Sequence, residues 1–243
     1  MKVSYCSTCK GRLWQLEKTL MPNLLQLSKI DAEWVIVDYA SPDGFADIVM
    51  FNNLARSLME QGKLKIYQHR LGMLPFSMPL AKNLAHHFAT GEYVFNLDID
   101  NFIGNSYEQI ISLQENEYIW AVNQRPKSGL EGRLGMKRSV FEQLRGYDLD
   151  LVGAGYDDIN LAARLDKNGF KLKVETKVIP AVKNTAEDTI TFVETANSAM
   201  ELYRNSKKIH DMKMATDQVV NPNGTTFVDG ISIADLTTLL TAQ

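Results

Sequence analysis

The sequence has no excess of basic residues, no long apolar run and little cysteine. Its 243 residues carry 26 Lys and Arg against 29 Asp and Glu, a formal net charge of −3. A general nucleic-acid binder needs basic residues to neutralise phosphates, so we expect no nucleic-acid partner. No apolar stretch approaches the roughly 20 residues of a transmembrane helix, and MKVSYCSTCKGRLW has no signal-peptide core. We expect a cytoplasmic protein without a transmembrane segment, either free or peripheral to a membrane.

The only two cysteines, Cys6 and Cys9, have the C-x-x-C spacing of redox pairs and of half zinc sites. A zinc site would need two further ligands, and the four histidines follow no matching pattern. We favour two small buried residues at the end of the first strand, in a reducing compartment. The redox alternative predicts that Cys6→Ser abolishes activity while Asp100→Ala does not.

Strand-like and helix-like segments alternate in the first hundred residues. Hydrophobic residues make up 45% of the chain, as in ordinary globular proteins. The alternation predicts a mostly parallel sheet with helices on both faces, and ligands bind such sheets beyond the carboxyl ends of the strands. The expected strands are 2–7, 33–38, 64–67 and 93–97, and the expected helices are 13–24, 45–59 and 79–89.

The second half is less regular, and no repeat or clear linker divides it. A loop or hairpin is expected over 124–135, and the Gly-flanked loop 153–155 leads into a helix. One domain with a variable, helical C-terminal part is the simplest organisation. The expected strands are 118–123, 170–174 and 178–179, and the expected helices are 139–144, 156–167, 186–204 and 232–240.

Acidic residues end two of the expected parallel strands. Asp98 and Asp100 follow the apolar run Tyr93 to Leu97, and Asp38 ends the second strand. Carboxylates are the ligands that Mg²⁺ or Mn²⁺ prefers, and two suffice when a diphosphate completes the shell. Asp38 could accept hydrogen bonds from a base or ribose. The alternatives are capping acids and an Asx turn.

Three further positions carry candidate chemistry. Lys82 precedes the Asp98 strand and could balance a diphosphate, or be a solvated lysine. Asp157 and Asp158 lie just inside a helix N-terminus, where capping competes with a role as general base. Adjacent helical residues point about 100° apart, which predicts different roles for the two. His210 is a candidate third metal ligand, or a packing histidine.

Together these motifs resemble the GT-A-fold glycosyltransferases, particularly family 2. The VDYASPDG turn at 37–44, Lys82-Asn83 and the Asp98-Ile-Asp100 motif occur in the expected order. Beyond them, residues 145–148 (RGYD) and 155–165 look like the acceptor-side motif of the β-1,4-galactosyltransferase and polypeptide GalNAc-transferase group. The resemblance implies a Rossmann-like GT-A domain over 1–205, with a donor half over about 1–104 and an acceptor half over about 105–205. Residues 206–243 would be a C-terminal extension.

The resemblance also implies an activity and its residues. The protein would transfer a sugar from a nucleotide-diphosphate sugar to a hydroxyl of a glycan or other acceptor, with inversion. The expected donor is a UDP-sugar. Asp157 would be the general base and Asp158 would support it. Mn²⁺ or Mg²⁺ would bind Asp100 and Asp98, with His210 as a further ligand. The nucleotide and its diphosphate would contact Thr8, Arg12, Asp38, Lys82 and Asp98.

The sequence departs from the family pattern in ways that leave alternatives open. Tyr156 replaces the acid that commonly precedes the base, and the tryptophan usual in that loop is absent, so stacking on the acceptor must come from elsewhere. A retaining transferase and a non-catalytic nucleotide-sugar-binding module keep the same fold. A nucleotidyltransferase is disfavoured because residues 9–12 only faintly match its Gly-rich, basic signature.

Overall fold

The structure is a computed structural model that describes residues 1–45, 52–69, 76–121, 129–151, 155–185, 188, 199–222 and 233–235. Eight strands form one sheet: β1 (Val3–Cys9), β2 (Ala32–Asp38), β3 (Leu64–His69), β4 (Tyr93–Asn96), β5 (Glu117–Trp120), β6 (Leu134–Lys137), β7 (Lys171–Val174) and β8 (Ile233–Asp235). Their order across the sheet is β7-β5-β6-β4-β1-β2-β3-β8. The four strands β4-β1-β2-β3 run parallel. The predicted mostly parallel α/β sheet is therefore confirmed.

Seven helices accompany the sheet in the described residues: α1 (Leu13–Leu27), α2 (Asn53–Glu60), α3 (Met78–His87), α4 (Ser106–Ile111), α5 (Arg138–Gln143), α6 (Asp157–Lys167) and α7 (Ala199–Thr216). Two hydrophobic clusters hold these layers together. One contains Leu16 of α1 and Leu58 of α2, and the other contains Leu84 of α3 and Leu161 of α6. Helices thus cover both faces, as the βαβ pattern predicts.

The central strands form where the sequence has continuous apolar runs. All seven residues of β2 are buried, which requires neighbours on both edges and helices on both faces. Its partners are β1 on one side and β3 on the other, both parallel. Because parallel strands end at the same edge, the segments that follow β1 and β4 are brought to one side of the sheet.

Cys6 and Cys9 are free, buried thiols on β1. Cys6 belongs to one hydrophobic cluster and Cys9 to the other, because strand residues an odd number of positions apart face opposite sides of the sheet. Burial raises the pKa of Cys9 to about 12. The two thiols cannot approach each other in this fold, so the redox-pair interpretation is wrong.

One expected helix of the first half differs in extent. The helix expected over 45–59 is interrupted at Asn52, whose backbone is extended and whose side chain accepts a hydrogen bond from the Ala55 N–H at 2.9 Å. Asn is a favoured N-cap, so a shorter helix starts there. Residues 46–51 lie outside the described part of the chain.

The C-terminal third contains clear errors of prediction. Residues 178–179 form no strand, because this segment passes over Asp100, whose carbonyl accepts from the Val182 N–H at 2.9 Å. In place of the helix expected over 232–240, residues 233–235 form β8, which pairs antiparallel with β3. Sheet pairing outweighs local helical preference there. The helix expected to end at 204 continues to Thr216. Residues 153–154, 186–187, 189–198 and 236–240 lie outside the described part.

None of the helices in the described residues is both long and apolar enough to cross a bilayer.

Candidate active site

A pocket of about 260 Å³ opens at the carboxyl ends of β1 and β4. Its wall combines the segments after these two strands with the start of α3, the approach to β6 and the N-terminus of α6. This is the edge at which open α/β sheets bind ligands. Most of the predicted site residues line it: Thr8, Arg12, Lys82, Asp98, Asp100, Asp157 and Asp158.

Asp98 is held against the chain that enters β6. The Asn96 side-chain amide donates to the Asp98 carboxylate at 2.9 Å and to the Gly132 carbonyl at 2.8 Å. A Cβ added to Gly132 would overlap a carboxylate oxygen of Asp98. Only glycine lets the backbone approach the acid this closely, so Gly132 fixes where Asp98 lies.

Asp100 is buried and surrounded by amides. Asn101 donates to one carboxylate oxygen at 2.7 Å, and the Asn184 amide contacts the other. Burial, followed by the like charge of Asp98, raises the pKa of Asp100 to about 6. Two carboxylates in one buried corner fit a divalent cation, which would relieve their repulsion and accept oxygen ligands from both. The Asn184 amide nitrogen faces Asp100 and its oxygen accepts from the Gln15 side chain at 2.9 Å, so this side chain would have to turn to offer the metal an oxygen ligand.

Lys82 bridges the two acids of α6. Its ammonium lies 2.6 Å from the Asp157 carboxylate and 2.8 Å from the Asp158 carboxylate, and 5.1 Å from the centre of the Tyr147 ring. Its side chain is only 3% exposed. The solvated-lysine alternative is therefore wrong, and the direct partners of Lys82 are carboxylates.

The acids and the lysine share their charges. Burial lowers the pKa of Lys82, but Asp157 and Asp158 outweigh this and raise the pKa overall. Burial, and then the neighbouring Asp157, raises the pKa of Asp158 to about 8. Near neutral pH these shifts favour a charged Lys82 and a protonated Asp158. Such pairs titrate together rather than as separate groups.

Arg12 and Thr8 lie at the other end of the pocket. Arg12 is half-buried and donates to the Asp188 backbone carbonyl. Burial lowers the pKa of this guanidinium, an effect that the nearby Asp100 opposes. Thr8, near the end of β1, contacts the Met78 sulfur at 3.9 Å. A cation and a hydroxyl are therefore available beside the Asp98–Asp100 corner.

Asp38 does not line the pocket. It is buried, and its carboxylate accepts hydrogen bonds from the Ser41 N–H and the Gln68 side chain, each at 3.0 Å. This is the Asx-turn alternative raised by the sequence. The contacts do not support the nucleotide-binding role.

His210 is not brought to the acidic corner either. It lies on α7, with its ring 5.4 Å from that of Tyr156 and its Nδ1 3.3 Å from the Asn160 amide. Within the part of the chain that the structure describes, no group of three His, Cys, Asp or Glu side chains could hold a metal ion. The packing alternative fits His210, because helix α7 places it behind the pocket-lining end of α6.

The RGYD segment at 145–148 is anchored by the C-terminal part of the chain. Asp148 is fully buried and pairs with Lys213 of α7 at 2.7 Å. The Asn221 side chain donates to the carbonyls of Arg145 and Tyr147, each at 2.8 Å. These contacts tie the C-terminal helix to the loop that precedes the acid pair.

The sequence reading missed Gly132 and Asn184. Gly132 has no local signature, because its importance arises from the side chain of Asp98, 34 positions earlier in the chain. Asn184 lies in a segment with no helix or strand in the structure. The one available signal was its type: an amide in a polar stretch that could supply an oxygen ligand.

No protein-family model matches the chain. No curated protein matches it either. Several solved structures are similar in fold to this chain. S. aureus TarS residues 1–349 in complex with UDP-GlcNAc gives a TM-score of 0.62 at 16% identity, over 88% of this chain and 66% of that one. The chain thus spans just under two thirds of that relative.

Two further matches are mannosyltransferase PcManGT from Pyrobaculum calidifontis, in complex with GDP-Man and Mn²⁺, and a Drosophila β1,4-galactosyltransferase 7, in complex with manganese, UDP-Gal and xylobiose. Their TM-scores are 0.58 and 0.53, at 18% and 10% identity. They cover 88% and 83% of this chain, and 70% and 78% of their own. All three are GT-A enzymes. The chain has the GT-A fold. In this GT-A fold, the pocket lies beyond the carboxyl ends of the parallel strands.

Proposed function

We propose that this protein is a metal-dependent glycosyltransferase. It would move a sugar from a nucleotide-diphosphate sugar to an acceptor hydroxyl with inversion, and a UDP-sugar is the first candidate donor. The main support for the proposal is that two pairs of acids line one pocket of a GT-A fold. Asp98 and Asp100 come from the end of β4, and Asp157 and Asp158 from the start of α6. Similar structures that bind nucleotide sugars support it.

The donor would lie at the β1 and β4 end of the pocket. Asp98 and Asp100 would hold Mn²⁺ or Mg²⁺, with Asn184 within reach of the same ion. When bound, the cation neutralises charge that builds on the departing diphosphate. Arg12 adds a fixed positive charge to that end, and Thr8 a hydroxyl. The division into a donor half over 1–104 and an acceptor half over 105–205 belongs to this proposal.

Asp157 would act as the general base. Its carboxylate accepts the proton of the acceptor hydroxyl while the oxygen forms a bond to the anomeric carbon. The bond from that carbon to the diphosphate oxygen breaks, and the nucleotide diphosphate leaves with the electron pair. The ion pair with Lys82 at 2.6 Å holds the Asp157 carboxylate in place at the N-terminus of α6. Asp158, which keeps its proton near neutral pH, would donate a hydrogen bond.

The contacts of Lys82 support a changed role for this residue. Instead of binding the diphosphate, it would position Asp157 and compensate the charge of the acid pair. Its short distances to both carboxylates and its near-complete burial support this role.

Asp100→Asn and Asp157→Asn test the two halves of the proposal. Each variant should reduce sugar transfer at least about 100-fold, the size typical of losing a catalytic acid or base. Only Asp100→Asn should also weaken metal-dependent nucleotide binding, because Asp157 does not contact the donor end. Transfer is measured with UDP- and GDP-sugars and a panel of glycans, and binding by calorimetry with Mn²⁺.

Other outcomes point to the alternatives. Near-normal turnover by Asp157→Asn would contradict the general-base assignment. A product that keeps the anomeric configuration of the donor, read by NMR, identifies a retaining enzyme. Metal-dependent nucleotide binding without transfer to any acceptor favours a non-catalytic binding module.

A further inference from the structure

Two tyrosines from separate elements meet beside the acid pair. Tyr156 immediately precedes Asp157, and Tyr203 lies in the first part of α7. Their ring centres are 4.7 Å apart, with the planes tilted by 57°. A methyl group added to Gly155, which lines the pocket, would touch the Tyr203 ring at 3.5 Å. The tyrosine pair therefore borders the pocket on its acceptor side.

The pair is unusual in both exposure and backbone. Tyr203 is 43% exposed, although a large aromatic ring gains most from burial. Tyr156 has a φ of +68°, a left-handed conformation that is strained for a bulky residue. A hydrogen bond between the two side chains is the first cause that raises the pKa of Tyr156 to about 12. The rings are thus fixed relative to each other without being removed from solvent.

We propose that Tyr203 and Tyr156 form a stacking platform for a pyranose ring of the acceptor. A pyranose has an apolar C–H face and a rim of hydroxyls, which matches an aromatic face bordered by phenol groups. A ring stacked on Tyr203 would lie next to Gly155, which lines the same pocket as Asp157. The platform is too small for a protein interface, which needs about 800 Å² per partner. The inference rests on the proposed function, because it names the acceptor class of the same pocket.

Binding can be tested without transfer. Saturation-transfer NMR is measured on the full chain with UDP and MgCl₂ present. The probes are methyl glycosides of glucose, galactose, mannose, N-acetylglucosamine and xylose. At least one should receive saturation in its ring C–H protons, and Tyr203→Ala should weaken its binding roughly tenfold, as expected for losing one aromatic stacking contact. Tyr203→Phe keeps the ring and should bind within about threefold of the unchanged protein.

Met212→Ala is the matched control. Met212 is 52% exposed on the same helix, nine residues further on and therefore on its opposite side. This variant should bind the glycosides as the unchanged protein does. The proposal is overturned if no glycoside receives saturation, or if Tyr203→Ala binds as tightly as Met212→Ala.

The two proposals fail separately. Transfer activity that Tyr203→Ala leaves unchanged would overturn the platform but leave the transferase standing. Glycoside binding that depends on Tyr203, with no turnover of any nucleotide sugar, would keep the platform and overturn the transferase.

Discussion

Lys82 is a single buried cation on which two carboxylates depend. It contacts Asp157 and Asp158 and lies over the ring of Tyr147. Breaking a buried ion pair from one side leaves uncompensated charge in the interior, which costs more than the pair itself contributes. The stability of the protein and the charge of the proposed base are therefore linked through one side chain.

Lys82→Met should lower the free energy of unfolding by about 3–5 kcal/mol at pH 8. Methionine fills the space of the lysine stem but leaves both acids without a cation. The loss should be smaller at pH 5, because protonation of Asp158, whose pKa is already raised to about 8, removes the repulsion. Urea unfolding at both pH values measures the effect.

Lys207→Met is the control for Lys82→Met. Lys207 forms an exposed pair with Asp211 on helix α7 at 2.5 Å, and such pairs contribute roughly 0.3–0.5 kcal/mol. Equal unfolding midpoints for the two variants would contradict the proposed importance of the buried cation.

Four of the acids that line the pocket, Asp98, Asp100, Asp157 and Asp158, could be predicted from the sequence because each stands next to a clear strand or helix boundary. The partners of Asp38 could not, since Gln68 reaches it from the neighbouring strand. The same holds for Lys82, whose partners lie 75 and 76 residues away. Residue type and local position predict which element carries a residue and where along that element it lies. Its burial and partners depend on elements distant in sequence.

The described segment that enters β6 shapes the corner formed by Asp98 and Asp100. It enters β6 through Gly132, against Asp98, and continues through Gly135, against the Phe95 ring. Neither glycine has a positive φ. Glycine is required at both positions because a Cβ would overlap a neighbouring side chain. One glycine faces the site and the other faces the core.

Gly132→Ala should reduce metal-dependent nucleotide affinity at least about tenfold, because the new methyl group displaces Asp98. Calorimetric titration of UDP with Mn²⁺ measures the change. Gly135→Ala is the matched control. Its Cβ would lie 2.5 Å from Phe95, so it should cost about 1–3 kcal/mol of stability but leave the affinity of the folded protein unchanged.

Equal affinities for Gly132→Ala and Gly135→Ala would show that Gly132 does not position Asp98. A second check is available at the same site. The loss in Gly132→Ala should resemble that of Asp98→Asn, since both remove the carboxylate from its position.

The strands differ in how well the sequence predicts them. The central strand Ala32–Asp38 contains the continuous apolar run 34–37, which few other structures can bury. The edge strand Ile233–Asp235 has three residues and exists through its pairing with β3. Short edge elements carry too little local pattern to be predicted, whereas the long buried ones carry enough.

At the scale of the whole molecule, the sheet brings the ends of β1 and β4 and the start of α6 to one pocket. A ligand that binds only the folded arrangement stabilises all of it by mass action. At 100 times its dissociation constant, a nucleotide sugar should add about 2.7 kcal/mol. For a chain of this size, that raises the melting temperature by several degrees.

A thermal-shift screen of UDP-, GDP-, TDP- and CMP-sugars should therefore identify the donor. The shift should require Mn²⁺ or Mg²⁺, disappear with EDTA, and be absent in Asp100→Asn. His210→Ala should keep the full shift, because His210 contacts Asn160 and Tyr156 rather than the acidic corner. If no nucleotide sugar changes the melting temperature, the donor site does not exist as proposed.

The contacts from Lys213 and Asn221 to the 145–148 loop also bear on how the protein is made. A ribosome releases the N-terminal end first, at about 5–20 residues per second. The four parallel strands are complete once Asn96 has emerged, well before Lys213 and Asn221. A nascent chain can therefore pair these four strands while the 145–148 loop still lacks its anchors at Lys213 and Asn221. That loop then gains its anchors only after the four parallel strands are able to pair.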